Sequence, residues 1–435
     1  MGREAVRVAR FEGTANATLA DEAVHVRLAG LEPGARATVW SRLRDDLGNW
    51  WEAANVFRAD EGGAVDLARR APESGSYAGV EPMGFLWSMT PTGPAPHSTF
   101  WPTSIEPKTV ELAAEIDGQT VAEARLIRRY LADGVRRIEV RDEGLFGVCF
   151  VPAGAGPFPA IILLSGSGGG LSEPAAALYA AHGVAALALA YFRAGDLPAD
   201  LVRIPLEYFG RAIAWLLARP EVDGDRLAVS GASRGGELSL LLGSRFPQFK
   251  AVVANVPSGI VFSGIGADES AFGQPAWTQG GAGVPFLYSR SRARQSGEEQ
   301  PDDGTPFALT PEFVRILEEE PDLAREAAIP VERINGPVLL ISGREDAMWP
   351  STRFSELVMA RLTEHRHPYP DQHVAYDGAG HIIGQPWVPT TVTAGFHPVS
   401  KRLFAYGGTA KGSADARADA WPRIRTFLDE HLNGI

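Results

Sequence analysis

The residues best suited to chemistry lie in residues 229–237, where a serine stands between glycines. Ser233 is the centre of Gly231-Ala-Ser-Arg-Gly235, which fits the G-x-S-x-G pattern of a nucleophile elbow. An apolar run precedes the motif and a helix-like run follows it, so the sequence predicts a strand, a sharp turn and a helix. Unpaired N–H groups at the helix start would favour negative charge beside the serine. The alternative is a plain tight turn, which a chain with 48 glycines can produce by chance.

Two later segments supply the acid and the base that a serine nucleophile needs. The apolar run 337–343 predicts a buried strand, and Asp346 follows its carboxyl end. A second short strand over 373–377 precedes a glycine-containing loop that carries His381. The chain order serine, aspartate, histidine is the order expected with a nucleophile elbow. We therefore predict His381 as the general base and Asp346 as the residue that orients it, with Glu345 as the neighbouring alternative.

An oxyanion hole is predicted in the loop 166–170, Gly-Ser-Gly-Gly-Gly, which follows a predicted strand over 158–165. Such strand-to-helix loops supply backbone N–H groups to a developing oxyanion. We expect the backbone N–H groups of Ser167 and Arg234 to fill this role. The alternative, a dinucleotide-binding loop, lacks its third glycine at Leu171, and the next strand does not end in an acidic residue. No cofactor is therefore predicted.

Other residues whose side chains could react or bind a ligand have simpler interpretations. Cys149 lies in an apolar run, which favours a buried structural thiol over a nucleophile. Three histidines within 365–373 lack a nearby cysteine or an H-E-x-x-H pattern, so we predict a solvated loop and no metal site. The side chains of Arg193 and Arg234 could hold substrate phosphates, but ion pairs with acidic neighbours are the alternative. The substrate-binding residues are unknown at this level.

Length and composition limit the classes of protein. The 435 residues, 45% hydrophobic and 22% charged, are enough for two domains and a large core. A net charge of −12 argues against nucleic acid or an anionic membrane surface as partner. The start lacks an apolar signal core and no apolar stretch is long enough to cross a bilayer, so we predict a cytoplasmic protein without a membrane partner. Oligomeric state is not predicted.

The chain divides into two regions by pattern. Residues 1–150 hold short alternating strands separated by turns, which predicts an all-β sandwich. Residues 151–435 alternate strands with helices, which predicts an α/β fold with a mostly parallel, doubly wound sheet and an active site at its carboxyl edge. Within that region, residues 258–336 form an insertion that we interpret as a cover shaping substrate access, surface decoration being the alternative. Apolar spacing over 419–432 predicts a C-terminal helix.

Taken together, these residues resemble the acyl-CoA thioesterase and bile acid-CoA:amino acid N-acyltransferase family. The likeness covers nearly the whole chain. It is carried by the segments 76–87 (SYAGVEPMGFLW), 168–173 (GGGLSE), 188–192 (ALAYF), 196–198 (DLP), 378–381 (GAGH) and 385–387 (QPW).

The resemblance implies an immunoglobulin-like N-terminal domain followed by an α/β-hydrolase catalytic domain. It implies Ser233, Asp346 and His381 as the catalytic triad, and an acyl-CoA thioester as substrate. Family members that conjugate amino acids tend to carry cysteine at the nucleophile position, so the serine here favours water as acceptor. We therefore expect a serine-dependent acyl-CoA hydrolase. The alternatives are an acyltransferase to an amine or alcohol, a hydrolase of a small ester or amide without CoA, and a non-catalytic scaffold.

Overall fold

The computed structural model describes residues 8–14, 17–93, 99–267, 269–288 and 304–433. The chain forms two compact units. The first comprises Met1–Tyr130 together with Gln385–Val392, and the second comprises Leu131–Gly384 together with Thr393–Ile435.

The first unit consists mainly of β-strands. They are β1 Arg10–Glu12, β2 Thr18–Leu19, β3 Arg27–Ala29, β4 Arg36–Arg44, β5 Trp50–Arg58, β6 Val65–Asp66, β7 Ser74–Gly75, β8 Thr90–Pro91, β9 Lys108–Ile116 and β10 Gln119–Arg129, with one short helix, α1 Gly84–Trp87. The smaller sheet has the order β1-β3-β6, and the larger has the order β2-β10-β9-β4-β5-β7, with β8 also paired to β5. Alternate residues of β4 and β5 are buried, as expected for strands with one face on a core.

A short segment from the C-terminal half of the chain completes this first unit. Within Gln385–Val392, the indole Nε1 of Trp387 donates to the carbonyl of Asp21 at 3.0 Å, and the N–H of Thr390 donates to the carbonyl of Trp87 at 3.0 Å. The first unit is therefore assembled from two stretches that are far apart in the sequence.

The second unit is built around one large sheet. Its strands are β11 Arg136–Val140, β12 Phe146–Val151, β13 Phe158–Leu164, β14 Ala185–Ala190, β15 Ile204–Pro205, β16 Val222–Ala232, β17 Phe249–Asn255, β18 Trp277–Gln279, β19 Ala282–Gly283, β20 Val338–Gly343, β21 Gln372–Tyr376, β22 Ala394–Phe396 and β23 Leu403–Ala405. The large sheet has the order β11-β12-β14-β13-β16-β17-β20-β21. β12 pairs antiparallel with both β11 and β14, and the other neighbours in this sheet pair parallel, which confirms the predicted α/β-hydrolase fold.

Helices connect the parallel strands and cover the sheet. They are α2 Glu173–Ala181, α3 Leu206–Leu217, α4 Arg234–Arg245, α5 Thr310–Glu319, α6 Pro321–Glu326, α7 Ser351–Glu364 and α8 Ala410–Leu432. Every residue of β14 and β20 is buried, because strands covered on both faces have no solvent side. α8 begins nine residues before the predicted 419, where the side chain of Thr409 accepts from the N–H of Gly412 as an N-cap. No helix in the described ranges is both long and apolar enough to span a membrane.

The units divide at residue 130, whereas the sequence pattern predicted a boundary at 150. The residues between these positions form β11 and β12, which extend the large sheet at one edge. In β12, Cys149 pairs with Leu187 of β14. Burial raises the pKa of the Cys149 thiol to about 12, which fits the predicted structural role.

The predicted insertion 258–336 lies between β17 and β20. Its described part contains β18, β19, α5 and α6. β18 and β19 form a small sheet with β15.

Candidate active site

Ser233 lies in the turn between β16 and α4, as the motif predicts. Its backbone has φ 57° and ψ −121°, a combination that residues other than glycine rarely adopt. Two hydrogen bonds hold the turn: the N–H of Ser233 donates to the carbonyl of Asn255 at 2.9 Å, and its carbonyl accepts from the N–H of Glu237 at 3.0 Å. Surrounding structure therefore maintains a strained backbone at the predicted nucleophile.

The two glycines of the motif are required by close backbone approaches. A Cβ atom on Gly231 would lie 2.3 Å from the carbonyl oxygen of Gly235. A Cβ atom on Gly235 would lie 2.4 Å from the carbonyl oxygen of Ser165, at the end of β13. Neither position has room for a side chain, so the glycines let the nucleophile turn pack against the neighbouring strand.

Asp346 and His381 are brought together as predicted. Oδ2 of Asp346 lies 2.9 Å from Nδ1 of His381, and both residues are buried. Oδ1 of the same carboxylate accepts from the N–H groups of Met348 at 2.9 Å and Trp349 at 3.3 Å. Glu345, the alternative acid, is exposed. The geometry therefore favours Asp346 as the partner of the histidine.

Backbone and ring contacts hold the loop that carries His381. The N–H of His381 donates to the carbonyl of Tyr406 at 2.8 Å. The ring of Trp349 meets the imidazole edge-on, with ring centres 6.0 Å apart, and its Nε1 donates to the carbonyl of Val256. Because Nδ1 of His381 faces the carboxylate as a donor, Nε2 is left as the acceptor that a general base needs.

The three predicted triad residues follow strands of one sheet edge. Ser233 follows β16, Asp346 follows β20 and His381 follows β21, and these parallel strands lie close together in the sheet order. Between the described atoms of Ser233 and His381 there is no hydrogen bond. The structure thus joins the acid to the base, and the contact of the base with Ser233 stays a prediction.

The predicted oxyanion loop passes beside the nucleophile. A Cβ atom on Gly166 would lie 3.5 Å from Cβ of Ser233, so the neighbouring Ser167 is close to the nucleophile turn. Arg234 is the first residue of α4, where the N–H has no acceptor within the helix. Both predicted donors therefore flank Ser233, and their role in binding an oxyanion stays a prediction.

The side chain of Arg234 is engaged in a buried ion pair. Its Nη1 lies 2.9 Å from Oε2 of Glu237, and its Nη2 donates to the carbonyl of Phe262 at 2.9 Å. Nε1 of Trp277 donates to the other carboxylate oxygen of Glu237 at 2.9 Å. Burial raises the pKa of Glu237 to about 7, an effect that the charge of Arg234 opposes. The ion-pair alternative is therefore confirmed for Arg234, whose guanidinium does not face solvent.

Arg193, the other arginine considered for substrate phosphates, is exposed. Its Nη1 donates to the carbonyl of Gly168 in the oxyanion loop at 2.7 Å. This hydrogen bond joins the oxyanion loop to Arg193, which follows β14 and Phe192 in the chain.

The insertion contacts the loop that carries Asp346. The hydroxyl of Thr310 donates to the carbonyl of Asp346 at 2.6 Å, and Phe313 of α5 meets Trp349 edge-on at 6.1 Å. Phe354 of α7 belongs to the same buried aromatic cluster. The described part of the insertion is therefore anchored beside the acid of the site.

The three histidines of residues 365–373 differ from the predicted solvated loop. His365 is exposed, but Nδ1 of His367 lies 2.7 Å from Oδ2 of Asp371. Nε2 of His373 lies 2.8 Å from the hydroxyl of Ser342 in β20. The contact of His373 joins β21 to β20, and that of His367 lies within the segment that precedes β21.

His397 was not predicted and lies next to the site. Its Nε2 is 2.9 Å from Oγ of Ser167. Burial, reinforced by the charges of Arg193 and Lys401, lowers the pKa of His397 to about 4, and His381 is close enough to contribute. No sequence motif identifies this histidine, because it is the hairpin of β22 and β23 that brings it to Ser167.

Comparison with known proteins gives matches over both units. The family described as "Acyl-CoA thioester hydrolase/BAAT N-terminal region" matches residues 21–142, and the family described as "BAAT / Acyl-CoA thioester hydrolase C terminal" matches residues 204–434. Acyl-coenzyme A thioesterase 6 of Mus musculus is 33% identical over 423 residues, which cover 95% of this chain and 94% of that protein. The peroxisomal succinyl-coenzyme A thioesterase of Mus musculus is 32% identical with the same coverage. Among solved structures, the α/β hydrolase GrgF from Penicillium sp. sh18 has a TM-score of 0.40 and 17% identity, covering 69% of this chain and 98% of that one.

Proposed function

We propose that this chain, which belongs to the acyl-CoA thioester hydrolase/BAAT family, hydrolyses acyl-CoA thioesters through an acyl-enzyme on Ser233. The family membership makes it a hydrolase. The observation that supports the triad most strongly is the buried hydrogen bond between Asp346 and His381, at the sheet edge that also carries the nucleophile turn. A cytoplasmic location stays a prediction, since one relative is named as peroxisomal.

In the first half-reaction, Oγ of Ser233 attacks the thioester carbonyl carbon while Nε2 of His381 takes the serine proton. The carbonyl π electrons move onto oxygen, where the N–H groups of Ser167 and Arg234 stabilise the negative charge. Collapse of this intermediate breaks the C–S bond, and His381 returns the proton to the departing CoA sulfur. The carboxylate of Asp346 stabilises the imidazolium meanwhile.

In the second half-reaction, water attacks the acyl-serine ester and gives its proton to His381. Collapse of the second intermediate breaks the bond to Oγ while His381 returns the proton to Oγ, which releases the carboxylic acid and restores both Ser233 and the neutral imidazole. The buried, doubly anchored carboxylate of Asp346 keeps the imidazole in one orientation through both halves.

The test is release of free thiol from acyl-CoAs of acetyl to palmitoyl chain length, with p-nitrophenyl esters measured in parallel. We expect thiol release by the wild-type protein and a loss of roughly 10⁴- to 10⁶-fold in kcat for Ser233→Ala. Intact-mass measurement during turnover should show one acyl group on the wild-type protein and none on the variant. Full activity in Ser233→Ala would overturn the mechanism.

Two further outcomes would reassign the substrate or the acceptor. Ester cleavage without thiol release would make the protein a hydrolase of small esters. Conjugates formed with added glycine or taurine would make it an acyltransferase. The names of the two relatives favour water as acceptor.

A further inference from the structure

His397 has hydrogen-bond partners on both ring nitrogens. It follows β22, at the start of the turn that leads to β23. Nδ1 accepts from the backbone N–H groups of Val399 at 3.3 Å and Ser400 at 3.2 Å. Nε2 lies 2.9 Å from the hydroxyl oxygen of Ser167, in the predicted oxyanion loop.

These contacts define the tautomer of the ring. A nitrogen that accepts from two N–H groups carries no proton itself, so the proton of neutral His397 is on Nε2. Nε2 therefore donates to Oγ of Ser167. The low pKa of His397 keeps the ring neutral near pH 7, so this arrangement persists there.

The donation leaves the hydroxyl proton of Ser167 available. A serine hydroxyl has one proton to donate and two lone pairs, and His397 occupies one lone pair. Within the described ranges, the Ser167 hydroxyl makes this one hydrogen bond. Ser167 is half-buried and follows Gly166, which lies against Cβ of Ser233. An unused donor is thus carried by the residue that follows the loop's point of contact with the predicted nucleophile.

We propose that the Ser167 hydroxyl donates a hydrogen bond to the substrate carbonyl oxygen as it becomes an oxyanion, and that His397 is the positioning residue that orients this hydroxyl. The inference rests on the proposed hydrolase function and adds a side-chain donor to the two backbone donors. Ser167 keeps its proton throughout, so no bond to it forms or breaks. The fixed Nε2–H of His397 prevents the hydroxyl from turning toward the histidine as a donor.

The first test compares Ser167→Ala with Ser167→Thr. Ser167→Ala keeps the backbone N–H and removes the hydroxyl, so we expect kcat to fall roughly 10²-fold with KM little changed. Ser167→Thr restores a hydroxyl and should recover most of the loss. An unchanged kcat in Ser167→Ala would overturn the role of the hydroxyl.

The second test uses two amides that each mimic one nitrogen of His397. His397→Asn can place its oxygen where Nδ1 accepts, but it has no donor that reaches Ser167. His397→Gln can place its amide nitrogen near the position of Nε2. We expect a loss of kcat in His397→Asn like that of Ser167→Ala, with partial recovery in His397→Gln. Equal loss in both, with unchanged unfolding temperatures, would contradict the positioning role.

The double variant Ser167→Ala/His397→Asn separates positioning from a general structural effect. If His397 acts through the hydroxyl, its substitution costs nothing further once the hydroxyl is gone, so the double variant should match Ser167→Ala. If the losses multiply instead, His397 acts by another route and the proposal fails.

The same variants distinguish failure of this inference from failure of the proposed function. If the wild-type protein cleaves p-nitrophenyl esters and no acyl-CoA, the single and double variants of Ser167 and His397 are compared on the ester. Cleavage of the ester forms an equivalent oxyanion. In that case the thioesterase proposal fails while the role of Ser167 is still decided. A wild-type protein that cleaves neither substrate would overturn both.

Discussion

The carboxylate of Asp346 accepts from Nδ1 of His381 through one oxygen and from two backbone N–H groups through the other. The backbone donors belong to Met348 and Trp349, in the turn that follows Asp346. This turn fixes the carboxylate, and the carboxylate in turn fixes the imidazole. The orientation of the base is therefore encoded in the four-residue segment 346–349, shortly after β20.

The variant Asp346→Asn should lose most of its activity. An amide in this position can present N–H to the histidine and favour the wrong tautomer, so we expect kcat to fall by about 10⁴-fold. Thiol release or ester cleavage measures the effect. Glu345→Gln is the matched control, since Glu345 is exposed and adjacent in sequence. A comparable loss in the control would show that Asp346 has no special role.

The variant Gly235→Ala should be destabilised by roughly 3 kcal/mol, because its methyl group would overlap the carbonyl of Ser165. Gly224→Ala provides a control in β16, the strand that precedes the turn: Gly224 is exposed, and the nearest atom to an added methyl group would be Cδ2 of Leu217 at 3.6 Å. We expect the control to change the free energy of unfolding by less than about 0.5 kcal/mol. Urea denaturation would measure both, and equal effects would contradict the packing explanation.

Stability should fall with acid partly because of His397. Its pKa is about 4 in the folded chain and 6.5 ordinarily, so between these values the unfolded chain binds more protons. The contribution of His397 to the free energy of unfolding is therefore complete above pH 6.5. It is lost as the pH falls toward 4, and the loss is about 3 kcal/mol at most.

Urea denaturation from pH 7.5 to 4 would reveal this dependence as a difference between variants. In His397→Asn, the free energy of unfolding should depend less on pH between 6.5 and 4. Ser167→Ala keeps the histidine, so it should retain most of that pH dependence. Identical slopes in the wild-type protein and His397→Asn would exclude the assigned linkage.

Glu237→Gln should destabilise the second unit by roughly 3–5 kcal/mol, because it leaves the guanidinium of Arg234 buried without its counter-ion. The exposed pair of Arg325 and Asp322 gives the comparison. Asp322→Asn should change the free energy of unfolding by less than about 1 kcal/mol. Denaturation midpoints in urea report both, and a neutral Glu237→Gln would mean that the buried pair contributes no net stability.

The sequence predicted the sheet that carries the site because its strands are buried on both faces. Such strands are continuous apolar runs, and those of β13, β14 and β20 are recognisable without any structure. The elbow was predictable for a local reason too, since its glycines are a steric requirement of the turn.

Contacts between distant segments could not be predicted in this way. β11 and β12 directly follow the strands of the first unit, and nothing in their own sequence assigns them to the large sheet. His397 reaches Ser167 across 230 positions of sequence, and only the β22–β23 hairpin brings them together. The aromatic contact of Phe313 with Trp349 likewise depends on how the insertion folds back.

The segment Gln385–Val392 has a consequence for the order in which the chain folds as the ribosome produces it. The first unit begins to be synthesised first but cannot be completed early, because its last piece emerges about 250 residues after Tyr130. At 5–20 residues per second, that delay is roughly 10–50 s. During this interval the carbonyl of Asp21 lacks the indole of Trp387, and a chain cut after residue 130 would never acquire it. Completion of the N-terminal unit thus waits until most of the hydrolase unit has been translated.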